Sequence, residues 1–334
     1  MANKLYVFGI GGTGSRVIKA LTMLLASGVK LDNGFDTVVP IIIDPDTANG
    51  DLSRTADILT KYQNILKQSG GGEDLFGTEI KTLTQLTNAN VANLNDNFKF
   101  SIDGSGQKFG ESIDYNGLDA ENKAFIDLLF SKENINADMT VGFKGNPNIW
   151  SVVLNKIVDS QEYMEFANSF NQGDAVFIIS SIFGGTGASG FPLLLKNLRT
   201  NDTNRLNSNV ISTATIGAIS YLPYFKVSDN NNNEKEIDSA TFFGKAKAAL
   251  SYYEHSIFNN SNSVNVFYHI GDNANNNMEY AEGKAKKKNK AHFVELAGAL
   301  AIIDFVKSVP NIIVNSGTII KEFGVEDGNG KLKF

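Results

Sequence analysis

Two strand–glycine loop–helix units constrain this chain more than any other feature. In the first, the apolar run Leu5-Tyr6-Val7-Phe8 leads into Gly9-Ile10-Gly11-Gly12-Thr13-Gly14-Ser15, followed by an apolar-faced helix from Arg16 to Leu25. In the second, Ala175-Val176-Phe177-Ile178-Ile179 leads into Ser180 to Pro192, which holds Gly184-Gly185-Thr186-Gly187-Ala188-Ser189, and Leu193 to Arg199 reads as helix. Short, wholly apolar, β-branched runs mark parallel strands buried on both faces. Glycines in the turn let backbone N–H groups approach an anion closely, and a helix N-terminus adds partial positive charge. The first unit has the G-x-G-x-x-G spacing of a diphosphate-binding turn. Neither unit continues into Gly-Lys-Ser/Thr, so no P-loop lysine reaches a terminal phosphate. Either loop alone reads equally as a close-packed turn; two in one chain favour binding.

The rest of the sequence alternates strands with helices. Val38 to Ile43 is a strand that ends in Asp44-Pro45-Asp46-Thr47, and Asp44 stands where a dinucleotide-binding unit keeps an acid for a ribose hydroxyl. Met139 to Trp150 contains Gly145-Asn146-Pro147 ahead of an apolar helix, a further loop whose amides face outward from a helix start. Val210 to Ile219 and Ser263 to Ile270 read as strands, Ser239 to Phe258 as a helix, and His292 to Val309 as a long apolar helix rich in small residues. Ile312-Ile313-Val314 is a candidate terminal strand ahead of a charged tail. Residues 51 to 134 carry no catalytic constellation and read as an insertion of helices and loops. The expected architecture is α/β, a Rossmann-like, mainly parallel sheet flanked by helices, with ligands at the carboxyl ends of the strands.

Composition narrows the function classes. A net charge of −6 over 334 residues argues against nucleic acid as the main partner. The absence of cysteine excludes disulfides, thiolate metal sites and thiol nucleophiles. No apolar run approaches the roughly 20 residues that span a bilayer. The N-terminus runs directly into a strand, unlike a signal peptide. A cytoplasmic protein is expected.

Taken in order, the loops resemble those of the tubulin/FtsZ superfamily. Gly9 to Ser15 is similar to that family's first phosphate loop, Asp44 to Thr47 to its second, and Gly142 to Pro147 to its third. Gly184-Gly185-Thr186-Gly187 is similar to the signature fourth loop, with Pro192 where the bacterial members carry proline. Ser220 to Phe225 and His269 to Asn273 fall at the fifth and sixth loops, and His292 to Val309 at the central helix that touches the base. The resemblance spans roughly residues 4 to 310, with 311 to 334 as a remnant of the second domain. It implies a site for GTP or GDP, with magnesium as an accompanying ion, built from Gly11, Gly12, Thr13, Gly14, Ser15, Asp44, Gly145, Asn146, Gly184, Gly185, Thr186, Gly187, Ala188, Ser189, His292 and Phe293. It also implies either self-assembly into a polymer or a partner protein that supplies the missing domain.

The sequence departs from the family at informative places. Phe183 replaces a leading glycine, and Ser189 with Gly190 replaces a closing one. Arg16 stands where FtsZ proteins carry a guanine-reading asparagine, and His292 with Phe293 about where a base-reading acid or asparagine falls. This leaves the base open. The family completes its GTPase with acids in the loop after the central helix, whereas Pro310 to Thr318 contains none, so weak or absent hydrolysis is expected and no catalytic residue is assigned. Three other readings stay open. Gly9 to Ser15 with Asp44-Pro45-Asp46 and Asn49-Gly50-Asp51-Leu52-Ser53-Arg54 echoes the adenylating, ubiquitin-activating family. An NAD-dependent oxidoreductase would use only the first loop. A nucleotide-free scaffold would use neither.

Overall fold

The computed structural model describes residues 3–46, 48–70, 74–87, 98–100, 106–139, 147–155, 157–228, 239–259, 263–272, 277–279, 289–312 and 316–323. Its strands are β1 (Asn3–Ile10), β2 (Phe35–Ile43), β3 (Glu79–Ile80), β4 (Lys99–Phe100), β5 (Ala175–Ser181), β6 (Thr215–Tyr221), β7 (Lys226–Ser228), β8 (Val266–Ile270), β9 (Asn277–Glu279) and β10 (Ile319–Phe323). The main sheet runs β10-β8-β6-β5-β1-β2-β3, with β4 also on β2, and every pair in it is parallel. Strands β7 and β9 form a separate parallel pair. The helices that bear on the site and its surroundings are α1 (Gly11–Ala26), α2 (Gly50–Ser69), α3 (Pro147–Leu154), α4 (Gln161–Ser169), α5 (Gly185–Arg199), α6 (Ser239–Tyr253) and α7 (Phe293–Ser308).

Side-chain alternation along the strands separates the two helical layers. On one face Phe177 of β5 meets Phe305 of α7 with ring centres 5.3 Å apart, and Tyr268 of β8 donates to Asp304 of α7 at 2.6 Å. On the other face Phe267 of β8 packs on Phe191 of α5, which in turn packs on Tyr253 of α6. Tyr6 and Phe8 of β1 meet Phe166 of α4 on that same face. Covered on both sides, β5 is buried along its whole length, as a run of apolar residues with no polar alternation requires. The fold class is therefore the expected one, an α/β Rossmann-like parallel sheet between helices.

The chain enters at the middle of the sheet. From β1 it winds outward through β2 and β3, then returns to β5 on the opposite side of β1 and continues through β6, β8 and β10. The reversal lies between β1 and β5, which pair directly from Leu5 with Ala175 to Gly9 with Ile179.

Several boundaries differ from the sequence reading for identifiable reasons. Helices α1 and α5 start on the glycines themselves, α1 directly after β1 and α5 three residues after β5, so most of each glycine motif is helical. The expected strand over Val210 to Ile219 begins only at Thr215, because Ser208–Ser212 forms a short helix. The terminal strand is Ile319–Phe323 rather than Ile312 to Val314; residues 313–315 lie outside the described ones, and the charged Lys321 and Glu322 of this edge strand read as tail. The segment 51 to 134, expected as helices and loops, also supplies the edge strands β3 and β4.

Helix α5 contains Pro192 in its interior. Proline has no N–H, so the carbonyl four residues earlier loses its helical donor. That carbonyl belongs to Ala188, and the Tyr253 hydroxyl of α6 donates to it at 3.0 Å. A side chain on one helix thus satisfies the backbone gap in another, and burial holds the Tyr253 phenol protonated by raising its pKa. Tyr253→Phe is expected to cost about 1 kcal/mol by leaving a part-buried carbonyl without its protein donor. In a Pro192→Ala background, where residue 192 regains its N–H, the same change should cost clearly less. Urea denaturation of the four proteins measures this, and equal costs in both backgrounds would contradict the assignment.

Candidate functional site: the crevice between β1 and β5

Both glycine loops lie at the carboxyl ends of the two strands that flank the reversal. After β1 the backbone takes a positive φ of 71° at Gly11, which glycine adopts without penalty, and turns at once into α1. Gly14 comes back against Gly9 so closely that a β-carbon would sit 2.4 Å from the Gly9 carbonyl carbon. This is the close helix–strand approach that the third glycine of such a turn permits. Across the crevice, a side chain at Gly11 would touch Thr186 at 3.7 Å. The first turns of α1 and α5 therefore sit side by side.

Neither helix start is capped from within. Ile10 and Gly184 hold the N-cap positions without a side-chain hydrogen bond, and neither first turn contains an acid. An uncapped helix N-terminus presents N–H groups and partial positive charge to whatever faces it. The hydroxyls of the motif do not compete for these groups. Ser15 donates to the Gly11 carbonyl at 3.2 Å and Ser189 to the Gly185 carbonyl at 3.0 Å, both within their own helix.

One wall of the crevice is a buried charge cluster. Arg16 of α1 is only 2% exposed. Its Nε pairs with Glu295 of α7, its Nη1 with Asp51 of α2 at 2.8 Å, and its Nη2 donates to the Tyr224 hydroxyl at 2.7 Å and to Thr13 Oγ1 at 3.3 Å. Asp51 pairs in turn with Arg54 and accepts from the backbone N–H of Asn289 at 3.2 Å. Two guanidinium groups thus meet two carboxylates, and the cluster is formally neutral. Burial by itself would depress the Arg16 pKa, but Tyr224, Glu295 and Asp51 raise it, so the side chain stays charged. The starts of α1, α2 and α7 and the segment after β6 are tied together at this point.

The other expected site residues fall into three groups. Gly11, Gly12, Thr13, Gly14 and Ser15 gather at the crevice with Gly184, Gly185, Thr186, Gly187, Ala188 and Ser189. Asp44, at the end of β2, is buried and turned into its own loop, accepting from the Asp46 N–H at 3.0 Å and Asn49 Nδ2 at 3.1 Å. Asn49 then caps α2 by accepting from the Asp51 N–H. His292 caps α7, its ring 5.1 Å from that of Tyr224 and its Nε2 3.4 Å from Asp272, whereas Phe293 is 61% exposed. Gly145 and Asn146 lie outside the described residues. Tyr224 and Glu295 were not singled out by the sequence reading. Glu295 has a local signal, since His292 and Glu295 have the N-cap and N3 spacing of a capping box, which the structure forms. Its pairing with Arg16, 279 positions away, has none.

No family model and no curated protein matches the sequence. Among solved structures, the chain is similar to two CetZ proteins of the tubulin/FtsZ family. One is CetZ2 from Haloferax volcanii, solved as a GTPγS-bound protofilament, at 12% identity and a TM-score of 0.43, covering 95% of this chain and 64% of that one. The other is CetZ from Methanosaeta thermophila strain DSM 6194, at 14% identity and a TM-score of 0.34, covering 93% of this chain and 54% of that one. The chain thus spans less than two thirds of the length of either, and at these scores the likeness assigns no residue a role.

Two predictions follow from the geometry. Arg16→Met leaves buried carboxylates without their counter-charge and is expected to cost about 3–5 kcal/mol. Adding Glu295→Leu should recover part of that loss, because Arg54 still pairs Asp51; urea denaturation measures both, and a loss below about 1 kcal/mol for Arg16→Met would contradict the account. The second concerns His269, at the end of β8. Burial lowers its pKa below the ordinary 6.5, against a smaller opposing effect of Glu322. The unfolded chain therefore binds the proton first as pH falls, so this contribution to stability is present above pH 6.5 and is lost below it. Stability measured from pH 7.5 down to 5 should fall more steeply for the wild type than for His269→Gln.

Proposed function

We propose that this chain binds a guanine nucleotide as a tubulin/FtsZ-like protein, with the phosphates over the first turns of α1 and α5. The observation that carries the proposal is the placing of both glycine loops on the two strands at the reversal of the sheet. Open α/β sheets bind their ligands at that point. Backbone amides and a magnesium ion carried with the phosphates would hold the charge, in place of a P-loop lysine. The base would lie toward Tyr224 and His292, on the side closed by Arg16 and Glu295.

Hydrolysis by the isolated chain is proposed to be weak. Among the described residues, 309–312 after α7 include no acid. Glu322, on β10, is three strand positions from β5 in the sheet, about 14 Å at ~4.8 Å per strand. That is too far to position a water at a phosphate over α5. Completion of the site by a second copy or by a partner protein belongs to the same proposal, as does a cytoplasmic setting; among the described residues no helix is long and apolar enough to cross a membrane.

Thr186→Asp separates binding from folding. An acid in the first turn of a helix favours the helix, whereas it repels a phosphate there. The variant is expected to melt no lower than the wild type while its affinity for a fluorescent GTP analogue falls at least tenfold. Undiminished binding would remove the crevice as the phosphate site. Dilute monomeric protein should release phosphate from GTP slowly, and brisk turnover would overturn that part of the reading. Pyrophosphate exchange from ATP would instead favour the adenylating alternative.

A further inference from the structure

A second cavity lies along the flank of α5 and adjoins the crevice, which it meets at Gly184, Ala188 and Ser189. A cavity of about 730 Å³ opens between α5 and α6 and reaches Asn148 and Ser151 of α3. None of Gly11 to Ser15 lines it. Its volume falls within the range of roughly 300–1,000 Å³ that small-molecule pockets occupy. Pro192 and Leu195 of α5, Ala249 and Tyr252 of α6, and Ile257 supply apolar walls.

The charged groups that line this cavity among the described residues are all of one sign. Lys196, Arg199 and Lys245 line it, and among the described residues no acid does, in a chain whose net charge is −6. The two lysines are exposed and stand at the edge. Arg199 is held differently. Its guanidinium donates to the carbonyls of Ser263 (2.7 Å), Ser212 (3.0 Å) and Ala214 (2.7 Å) and to Asn265 Oδ1 (3.0 Å), all neutral acceptors. Among the described residues no carboxylate forms an ion pair with it. A half-buried cation held only by neutral acceptors among the described residues is costly, and burial here lowers its pKa to about 10. An apolar chamber lined by three cations is complementary to one class of ligand.

We propose that the cavity between α5 and α6 binds an amphipathic organic anion, its apolar body against Ala249, Tyr252 and Ile257 and its anionic head toward Lys196, Lys245 and Arg199. The apolar body can be an aromatic ring system or an acyl chain, and the carboxylate or sulfonate head is common to both. The inference is separable from the nucleotide proposal, since none of Gly11 to Ser15 and none of the three cations belongs to both sites, although Gly184, Ala188 and Ser189 border both.

The test uses the full chain and two fluorescent probes with the same ring system. One, 8-anilinonaphthalene-1-sulfonate, is an anion; N-phenyl-1-naphthylamine is neutral. The anionic probe is expected to bind saturably, and at least tenfold more tightly than the neutral one. Lys196→Ala with Lys245→Ala, both at exposed positions, should weaken the anionic probe at least tenfold and leave the neutral probe unchanged. Ala249→Trp should fill the chamber and abolish both signals, with the melting curve reporting whether it folds. Displacement by laurate would identify the acyl class, and binding that laurate leaves intact would identify the aryl class. Equal affinity for the two probes, or a lysine variant that binds the anion like the wild type, would overturn the proposal. So would competition between the anionic probe and GTP that the double lysine variant leaves unchanged, which would place the probe over the glycines of α5 rather than at the cationic edge.

Discussion

A parallel sheet covered by helices on both faces has no room for polar chemistry along its strands. Every residue of β5 is buried, and the neighbouring β1 and β6 are apolar over most of their length. Water and ligands reach such a sheet only where the strands end and the chain must turn. Which strand ends can form a crevice is then decided by topology. On either side of the reversal the chain leaves in opposite directions along the sheet, so the connections after β1 and β5 diverge and leave a gap between α1 and α5. The glycines follow from that gap, since α1 begins directly after its strand and α5 only three residues after its own, and a β-carbon at Gly14 or Gly187 would strike the preceding strand's backbone.

The Arg16 cluster is the second consequence of this arrangement. The starts of α1, α2 and α7 converge at the carboxyl edge of the sheet, where each helix brings unsatisfied N–H groups and partial positive charge. Asp51 in the first turn of α2 and Glu295 in the first turn of α7 offset that charge and then meet Arg16 between them. Buried ion pairs are weak evidence of net stability, because desolvation opposes the attraction. Their geometric effect is firmer. Removing one member leaves an uncompensated charge, so the three helix starts hold one arrangement relative to the crevice.

The layers and the crevice were legible in the sequence because they depend on local pattern. Apolar runs such as Val176 to Ile179 and glycine spacings such as Gly9 to Gly14 are visible within a dozen residues, and they specified both the parallel sheet and the gathering of its loops. Partners separated in sequence were not. Nothing near Arg16 points to Asp51 or Glu295, and nothing near Pro192 indicates that Tyr253 will complete the carbonyl of Ala188. The terminal strand was missed for a related reason. Ile319–Phe323 lies at the sheet edge, where Lys321 and Glu322 are tolerated, so its pattern lacks the apolar continuity of the central strands.

Helix α5 connects these observations. Its first turn faces α1 across the crevice, and its flank walls the cationic cavity. The bond from Tyr253 to Ala188 fixes α6 one turn from the start of α5, at the residue whose helical donor Pro192 removes. Had residue 192 kept its N–H, the Ala188 carbonyl would be satisfied within α5 and the Tyr253 hydroxyl would have to find another partner. The proline thus does more than interrupt a ladder of hydrogen bonds. It creates the acceptor by which α6 is docked, and the position of α6 in turn sets the width of the chamber beside it.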